Sequence, residues 1–205
     1  MNAESGTAGT AVIVIGAGLS RRFGGSKMLA ELGGKALILH AVEQSLRSAA
    51  SRVIVVVDEG IAGKRILPGG VEVIINQNPS RGVGSSISAG ASNLQGVKSC
   101  IVLAGDQPFV STGILNELIR RHELSVKAVI ACRYAGAVRN PVLFPESLFA
   151  ALTSMDGDRG ARQLVLSAGV PVDFVDVREE WKLMDIDSRD DLVKAEAILA
   201  QHSGK

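Results

Sequence analysis

The chain has 205 residues, a formal net charge of +1, and a composition that is 46% hydrophobic but only 3% aromatic. That length supports one ordinary domain with a substantial core, and the near-neutral charge argues against a dedicated nucleic-acid surface or a polybasic membrane patch. The hydrophobic share excludes general disorder, and a core poor in aromatics must be built from Val, Ile, Leu and Ala, which suits buried parallel strands covered by helices.

Residues 1–10 are small and polar, without the charged head or apolar run of a signal peptide, and are predicted to be a flexible tail before one domain over 11–203. A fully apolar strand follows over 11–15 and ends at Gly16. Apolar residues at helical spacing (Leu39, Val42, Leu46, Ala49) predict a helix over 36–49. Strands over 52–57 and 71–75 stop at Asp58 and Asn76, a small-residue helix covers 85–94, and a strand covers 101–104. Ser111 caps a helix whose Ile114, Leu115, Leu118 and Ile119 form one apolar stripe. Strands over 128–132 and 141–144, helices over 145–152 and 159–167, and a strand over 172–177 come next. Asp187 or Ser188 then caps a last helix running to about residue 202. Strands alternating with helices imply right-handed crossovers, hence a single-domain α/β fold, three layers deep (α/β/α), around a mostly parallel sheet. Ligands of such sheets sit at the carboxyl ends of the strands.

Several chemistries are set aside by spacing. Cys100 and Cys132 stand alone inside apolar runs and read as small buried hydrophobes. His40, His122 and His202 have no ligand-like spacing, so zinc and haem are not expected. No apolar run reaches the about 18 residues of a membrane-spanning helix, and the cytoplasm is the expected compartment.

The loop after the first strand reads Gly16-Ala17-Gly18-Leu19-Ser20-Arg21-Arg22-Phe23-Gly24-Gly25-Ser26-Lys27. A dinucleotide fingerprint would place Gly or Ala where Arg21 stands, and the Gly-Lys-Ser/Thr of a P-loop is missing. What remains is a glycine loop whose backbone N–H groups can surround phosphate oxygens, followed by two cations, Arg22 and Lys27. Farther on, Asp106 sits just past the strand that ends at Ala104, where one carboxylate can serve a Mg²⁺ that takes its other ligands from phosphates and water.

With these residues in view, the chain resembles the MobA-like NTP transferases, specifically the molybdenum cofactor cytidylyltransferase and guanylyltransferase group. Its signature, Leu-Ala-(Ala/Gly)-Gly-x-Ser-x-Arg-x-Gly-x-x-Lys, is matched over 15–27, with Gly16 departing from alanine. Ala17 and the Asp106-Gln107-Pro108 run are similar to the cytidylyl branch. The resemblance implies a Rossmann-like nucleotidyltransferase (GT-A-like) fold and Mg²⁺ held by Asp106 and Asp187, with Asp185 as the alternative. It implies nucleotide contacts from Gly16, Ala17, Gly18, Ser20, Arg22, Lys27, Gln107 and a base and ribose loop containing Asn78, Pro79, Gly82, Ser85 and Ser86. Arg22, Lys27 and Asp106 would be catalytic. The acceptor side looks like the runs holding Arg139, Asn140, Pro141, Asp158, Arg159 and Arg162. By the same resemblance CTP is the donor, molybdopterin the acceptor, and the product passes to a xanthine dehydrogenase-type molybdoenzyme. Two other readings share the scaffold: NAD(P)H-dependent reduction of the nicotine blue type, and a non-catalytic nucleotide- or cofactor-binding chaperone.

Overall fold

The computed structural model describes residues 9–18, 23–167 and 169–202. Residues 1–8 of the predicted tail, and Leu19, Ser20, Arg21 and Arg22 of the glycine loop, lie outside the described residues, whereas Thr10, placed in the tail by the sequence, opens the first strand of the domain. Strand β1 (Thr10–Ile15) is buried along its whole length, as a strand covered on both faces must be. It pairs in parallel with β4 (Arg52–Val57) and with β6 (Ser99–Ala104). Strand β5 (Glu72–Ile75) extends the sheet beyond β4, also in parallel. Beyond β6, strand β8 (Ala137–Pro145) runs antiparallel to β6 and to β7 (Val129–Tyr134), and β9 (Val172–Asp176) completes the sheet parallel to β7. The order is β5-β4-β1-β6-β8-β7-β9, and a two-stranded ribbon, β2 (Glu31–Leu32) with β3 (Lys35–Ala36), stands apart.

Alternating side chains of β1 feed the two cores. Val12 and Val14 pack with Ile38 and Val42 of α1 (Leu37–Leu46) and with Leu115 and Leu118 of α4 (Thr112–Leu124). Short α2 (Glu59–Ala62) adds Ile61 to that face. Ala11, Ile13 and Ile15 pack against α3 (Val83–Ala91), α5 (Phe149–Thr153) and α6 (Ala161–Ser167). The last helix, α7 (Arg189–His202), brings Ala195 against Leu32 of the ribbon. The predicted three-layer α/β/α arrangement with a mostly parallel sheet is therefore what the chain forms.

The segment over 141–144, expected to be a short strand, belongs to the nine-residue β8, because β7 and β8 form a hairpin closed by Ala135 and Gly136, both at positive φ. The region over 145–152 splits into a 3₁₀ turn, Glu146–Leu148, and α5. Helix α1 stops at Leu46 rather than Ala49. Cys100 and Cys132 are buried on opposite faces of the sheet, and burial pushes both thiols up, Cys132 to about 12. No helix among the described residues is long and apolar enough to cross a membrane.

Candidate active site

The carboxyl ends of β1, β4 and β6 are tied together by backbone bonds. Gly16 N–H donates to the Val56 carbonyl at 2.7 Å, and Gly105 N–H to the Ile15 carbonyl at 2.8 Å. A Cβ on Gly16 would require the Ile38 Cδ1 end to shift and would press on the Val56 carbonyl at 3.3 Å, so glycine leaves the strand end room against α1. One residue past Gly105, Asp106 accepts the Ile186 N–H at its backbone carbonyl, 3.0 Å away, so the segment before α7 is pinned to the end of β6. That bond sets Asp187 beside Asp106.

Lys27, in a 3₁₀ turn (Lys27–Leu29), closes the group. Its Nζ donates to Asp106 Oδ2 at 2.6 Å and to Asp187 Oδ1 at 3.0 Å. Burial disfavours the Lys27 charge, but the Asp106 and Asp187 carboxylates outweigh it and hold the ammonium above the ordinary lysine range. Asp185, one residue before Ile186, opens to solvent at the mouth yet has protein on most sides. Desolvation there, then the negative charges of Asp106 and Asp187, raise its pKa to about 6 against the pull of Lys27 and Arg139. Three residues distant in sequence thus meet from β6, the pre-α7 segment and the loop after β1.

This cluster floors a cavity of about 360 Å³ whose rim includes Ala17 and Gly18 of the glycine loop, with Val83 and Ile87 of α3 opposite. Around α3 the loop expected to hold base and ribose is built by Asn76, which in the sequence only ends a strand. Its Nδ2 donates to Ser85 Oγ at 3.0 Å and Ser86 Oγ at 2.9 Å, while its Oδ1 accepts the Asn78 N–H at 2.9 Å. A strand-ending Asn followed by Asn-Pro was the available signal. Gly82 has φ +93°, and Gly84 approaches the Asp156 backbone so closely that a Cβ would stand 2.7 Å from it. The Gly84 N–H donates to the Gly157 carbonyl at 2.8 Å, and Arg81 pairs with Asp156 at 2.7 Å. Asn78 and Pro79 shape this loop without lining the cavity.

Of the residues expected on the acceptor side, Asn140 lines the same cavity, and Asp187 is shared with a second one of about 700 Å³ that holds Arg139 and Arg162. A recess of about 280 Å³ between them gathers Arg139, Asn140, Asp158 and Arg162. Pro141 follows a cis peptide bond in β8 behind Asn140. Arg159 instead faces a separate groove beside Asp156 and Gln163, away from the other residues expected to bind the acceptor. Gln107 is 1% exposed and donates from Nε2 to the Leu183 carbonyl at 3.1 Å, so it holds the chain before α7 and does not line either cavity.

The donor set fits a hard divalent cation. Asp106 Oδ1 is buried without a hydrogen-bond partner, an acceptor in want of a cation or donor. Among the described residues no cluster of three His, Cys, Asp or Glu stands ready as a complete metal cage. A pair of carboxylates is what Mg²⁺ uses when substrate phosphates and water supply the remaining oxygens.

Comparison with known proteins agrees with this geometry. The model of the MobA-like NTP transferase domain matches residues 12–172. A probable molybdenum cofactor guanylyltransferase of Pyrococcus furiosus is 24% identical, over 92% of this chain and 97% of its own. The purine catabolism protein PucB of Bacillus subtilis is 27% identical over 86% and 90%. The nicotine blue oxidoreductase of Paenarthrobacter nicotinovorans is 26% identical over 86% and 91%. In fold, the crystal structure of Rv0371c in complex with manganese, from Mycobacterium tuberculosis H37Rv, superposes with a TM-score of 0.78 at 21% identity, over 92% of this chain and 98% of that one. With a glycine loop, a Lys27–Asp106–Asp187 cluster at the strand ends and a family match spanning most of its length, this chain belongs to the MobA-like NTP transferase domain family.

Proposed function

We propose that the chain transfers CMP from CTP to the terminal phosphate of molybdopterin, with Mg²⁺, and releases pyrophosphate. The observation that carries this reading is the Lys27 ammonium held between Asp106 and Asp187 at the floor of a cavity bordered by the glycine loop. Such a floor presents both signs of charge at one point, as a triphosphate with its cation demands. The glycine-loop N–H groups and Lys27 receive the triphosphate oxygens, joined by Arg22 and Ser20 of the same loop. Asp106 and Asp187 would hold the Mg²⁺, which when bound neutralises charge on the phosphates.

An oxygen of the acceptor phosphate attacks the α-phosphorus in line. One P–O bond forms, the bond to the β-phosphate bridging oxygen breaks, and pyrophosphate leaves. A phosphomonoester has a second pKa near ~6, so the nucleophile is already ionised at neutral pH and no general base is required. The work of the protein is positioning and charge neutralisation. Arg139, Asn140 and Arg162, around the recess next to Asp187, orient the acceptor phosphate. Pro141 backs them, and Asp158 fixes the loop edge. Cytosine is proposed on Ala17, since the Gln107 amide is committed to Leu183. The product would be consumed by a xanthine dehydrogenase-type enzyme in the cytoplasm.

The test is pyrophosphate release with molybdopterin and each of CTP, GTP, ATP and UTP, with and without Mg²⁺. Metal-dependent release with CTP above the others is expected. Release with GTP above CTP would overturn the base assignment. Oxidation of NADPH with nicotine blue and no release would favour the chemistry named for the Paenarthrobacter relative. CTP binding without either reaction would leave a chaperone.

A further inference from the structure

Strand β5 ends the sheet on its side, and among the described residues no strand pairs beyond it. The Asn76 N–H donates inward to the Val57 carbonyl at 2.8 Å. Backbone groups alternate in direction along a strand, so Val73 and Ile75 turn their N–H and C=O groups away from β4. Their side chains are 43% and 42% exposed, and Leu46, at the end of α1, lies 3.4 Å from where a Cβ on Gly70 would stand, at the start of the same strand. Sheets usually blunt such edges with charge or proline. The opposite edge does so: on β9, Asp173 and Asp176 pair with Arg121 and Arg133, and the Arg133 guanidinium covers the Phe174 ring at 4.4 Å. From residue 69 to residue 78, by contrast, there is no proline and one ionisable side chain, Glu72. Its carboxylate is held by Arg52 Nε at 2.8 Å and Nη2 at 2.7 Å.

We propose that β5 is the contact strand of a homodimer, pairing antiparallel with β5 of a second copy about a two-fold axis at Ile74. A contact of this symmetry must be its own complement, and this strand is. With the axis at Ile74, Val73 lies opposite the partner's Ile75, and the two exchange N–H···O bonds. Ile75 and the partner's Val73 repeat the exchange, so the outward backbone groups of both residues are satisfied. Val73 and Ile75 share one face, so their apolar side chains meet those of the partner across the seam. Glu72 falls opposite the partner's Asn76, and no like charges face each other. A different protein would have to supply that complement, whereas a second copy carries it already. The strand leads directly into Asn76, whose amide holds Ser85 and Ser86, so the seam continues to the loop beside the 360 Å³ cavity.

The pairing is short, so association is reversible. Sedimentation of the full chain across the micromolar range is expected to show monomer giving way to dimer, with the Val73 and Ile75 amides exchanging more slowly in the dimer. Val73→Lys puts a charge at the seam on a side chain that is already exposed. It should weaken association roughly tenfold or more while the monomer keeps its melting temperature. Ile74→Cys checks the register. Antiparallel residues of a non-hydrogen-bonded pair have Cα atoms about 4.5 Å apart, within disulfide reach, so mild oxidation should give a covalent dimer. Val71→Cys, off the axis, should not, and the native Cys100 and Cys132 are buried and do not compete. A monomer at every concentration, a dimer that Val73→Lys leaves intact, or an Ile74→Cys variant no more cross-linked than Val71→Cys overturns the proposal. Protection of the Val73 and Ile75 amides that does not depend on concentration also overturns it, since the chain's own residues would then cover the edge.

Discussion

Replacing Lys27 with Met separates the two things the cluster does. In the free protein the Nζ lies 2.6 Å from Asp106 and 3.0 Å from Asp187, and the side chains are 10%, 16% and 48% exposed respectively. Removing the cation leaves two carboxylates facing each other with Asp185 nearby. Breaking a fully buried pair costs about 3–5 kcal/mol. Asp187 is half open to water, so the expected destabilisation is smaller, about 1–3 kcal/mol. A divalent cation should recover that loss, because in the variant it no longer competes with the ammonium for the carboxylates. Turnover should nonetheless fall ~10²-fold or more, the value of one preorganised donor to the developing phosphate charge. The assay pairs melting temperature against Mg²⁺ or Mn²⁺ concentration with pyrophosphate release at saturating metal. The expected pattern is a larger metal-induced rise in the variant than in wild type, together with lost turnover. A variant that melts like wild type, ignores metal and turns over at the wild-type rate would refute the assignment of all three residues.

Gly82→Ala forces an L side chain into φ +93° against the Gly157 backbone, so it should cost about 1–3 kcal/mol in urea unfolding and weaken nucleotide binding. Gln107→Met removes the tie to Leu183 but touches neither cavity, so it should raise the acceptor KM while the order of preference among the four NTPs stays fixed. A changed preference would return Gln107 to the base. His122 is 6% exposed, its Nδ1 has no partner, and burial holds its pKa below 6.5. A folded pKa below the unfolded one means the unfolded chain binds more protons, so this contribution is whole above pH 6.5 and is lost as pH falls through the folded value. His122→Gln should therefore lose less stability than wild type between neutral pH and mildly acidic pH, measured by urea midpoints. Equal losses would show that the ring charges without cost.

Much of the parallel half of the fold was legible because β1, β4 and β6 are largely apolar runs that stop at Gly16, Asp58 and Gly105: the strand over 52–57 appears at the predicted bounds, and Ser111 caps α4 as expected. Lys27, Asp106 and Asp187 were readable one at a time from loop chemistry and family pattern. Their meeting was not, since it depends on an Ile186–Asp106 backbone bond that no spacing encodes. The hairpin was missed because Ala135-Gly136 lacks the Asn-Gly or Asp-Gly signal of a tight two-residue turn. Arg159 and Gln107 illustrate the converse: residues inside matching motifs whose side chains the fold directs elsewhere.

The reversed strand β8 divides the ligand rim into two regions with different tolerance for change. On the β1–β6 side, crossover connections lock each strand end to its neighbours, and an inserted residue would shift the glycine loop against Asp106. On the β7–β8 side the chain returns through a two-residue tip, and Val102 pairs with Val142 below it while Arg139 and Asn140 rise past the end of β6. Residues added at that tip would extend over the rim and leave the ladder below it, Cys132–Arg139 and Val102–Val142, in place. A scaffold so hinged can keep one phosphate-handling half and exchange its guest in the other, which is a physical route by which one architecture comes to serve relatives with very different names.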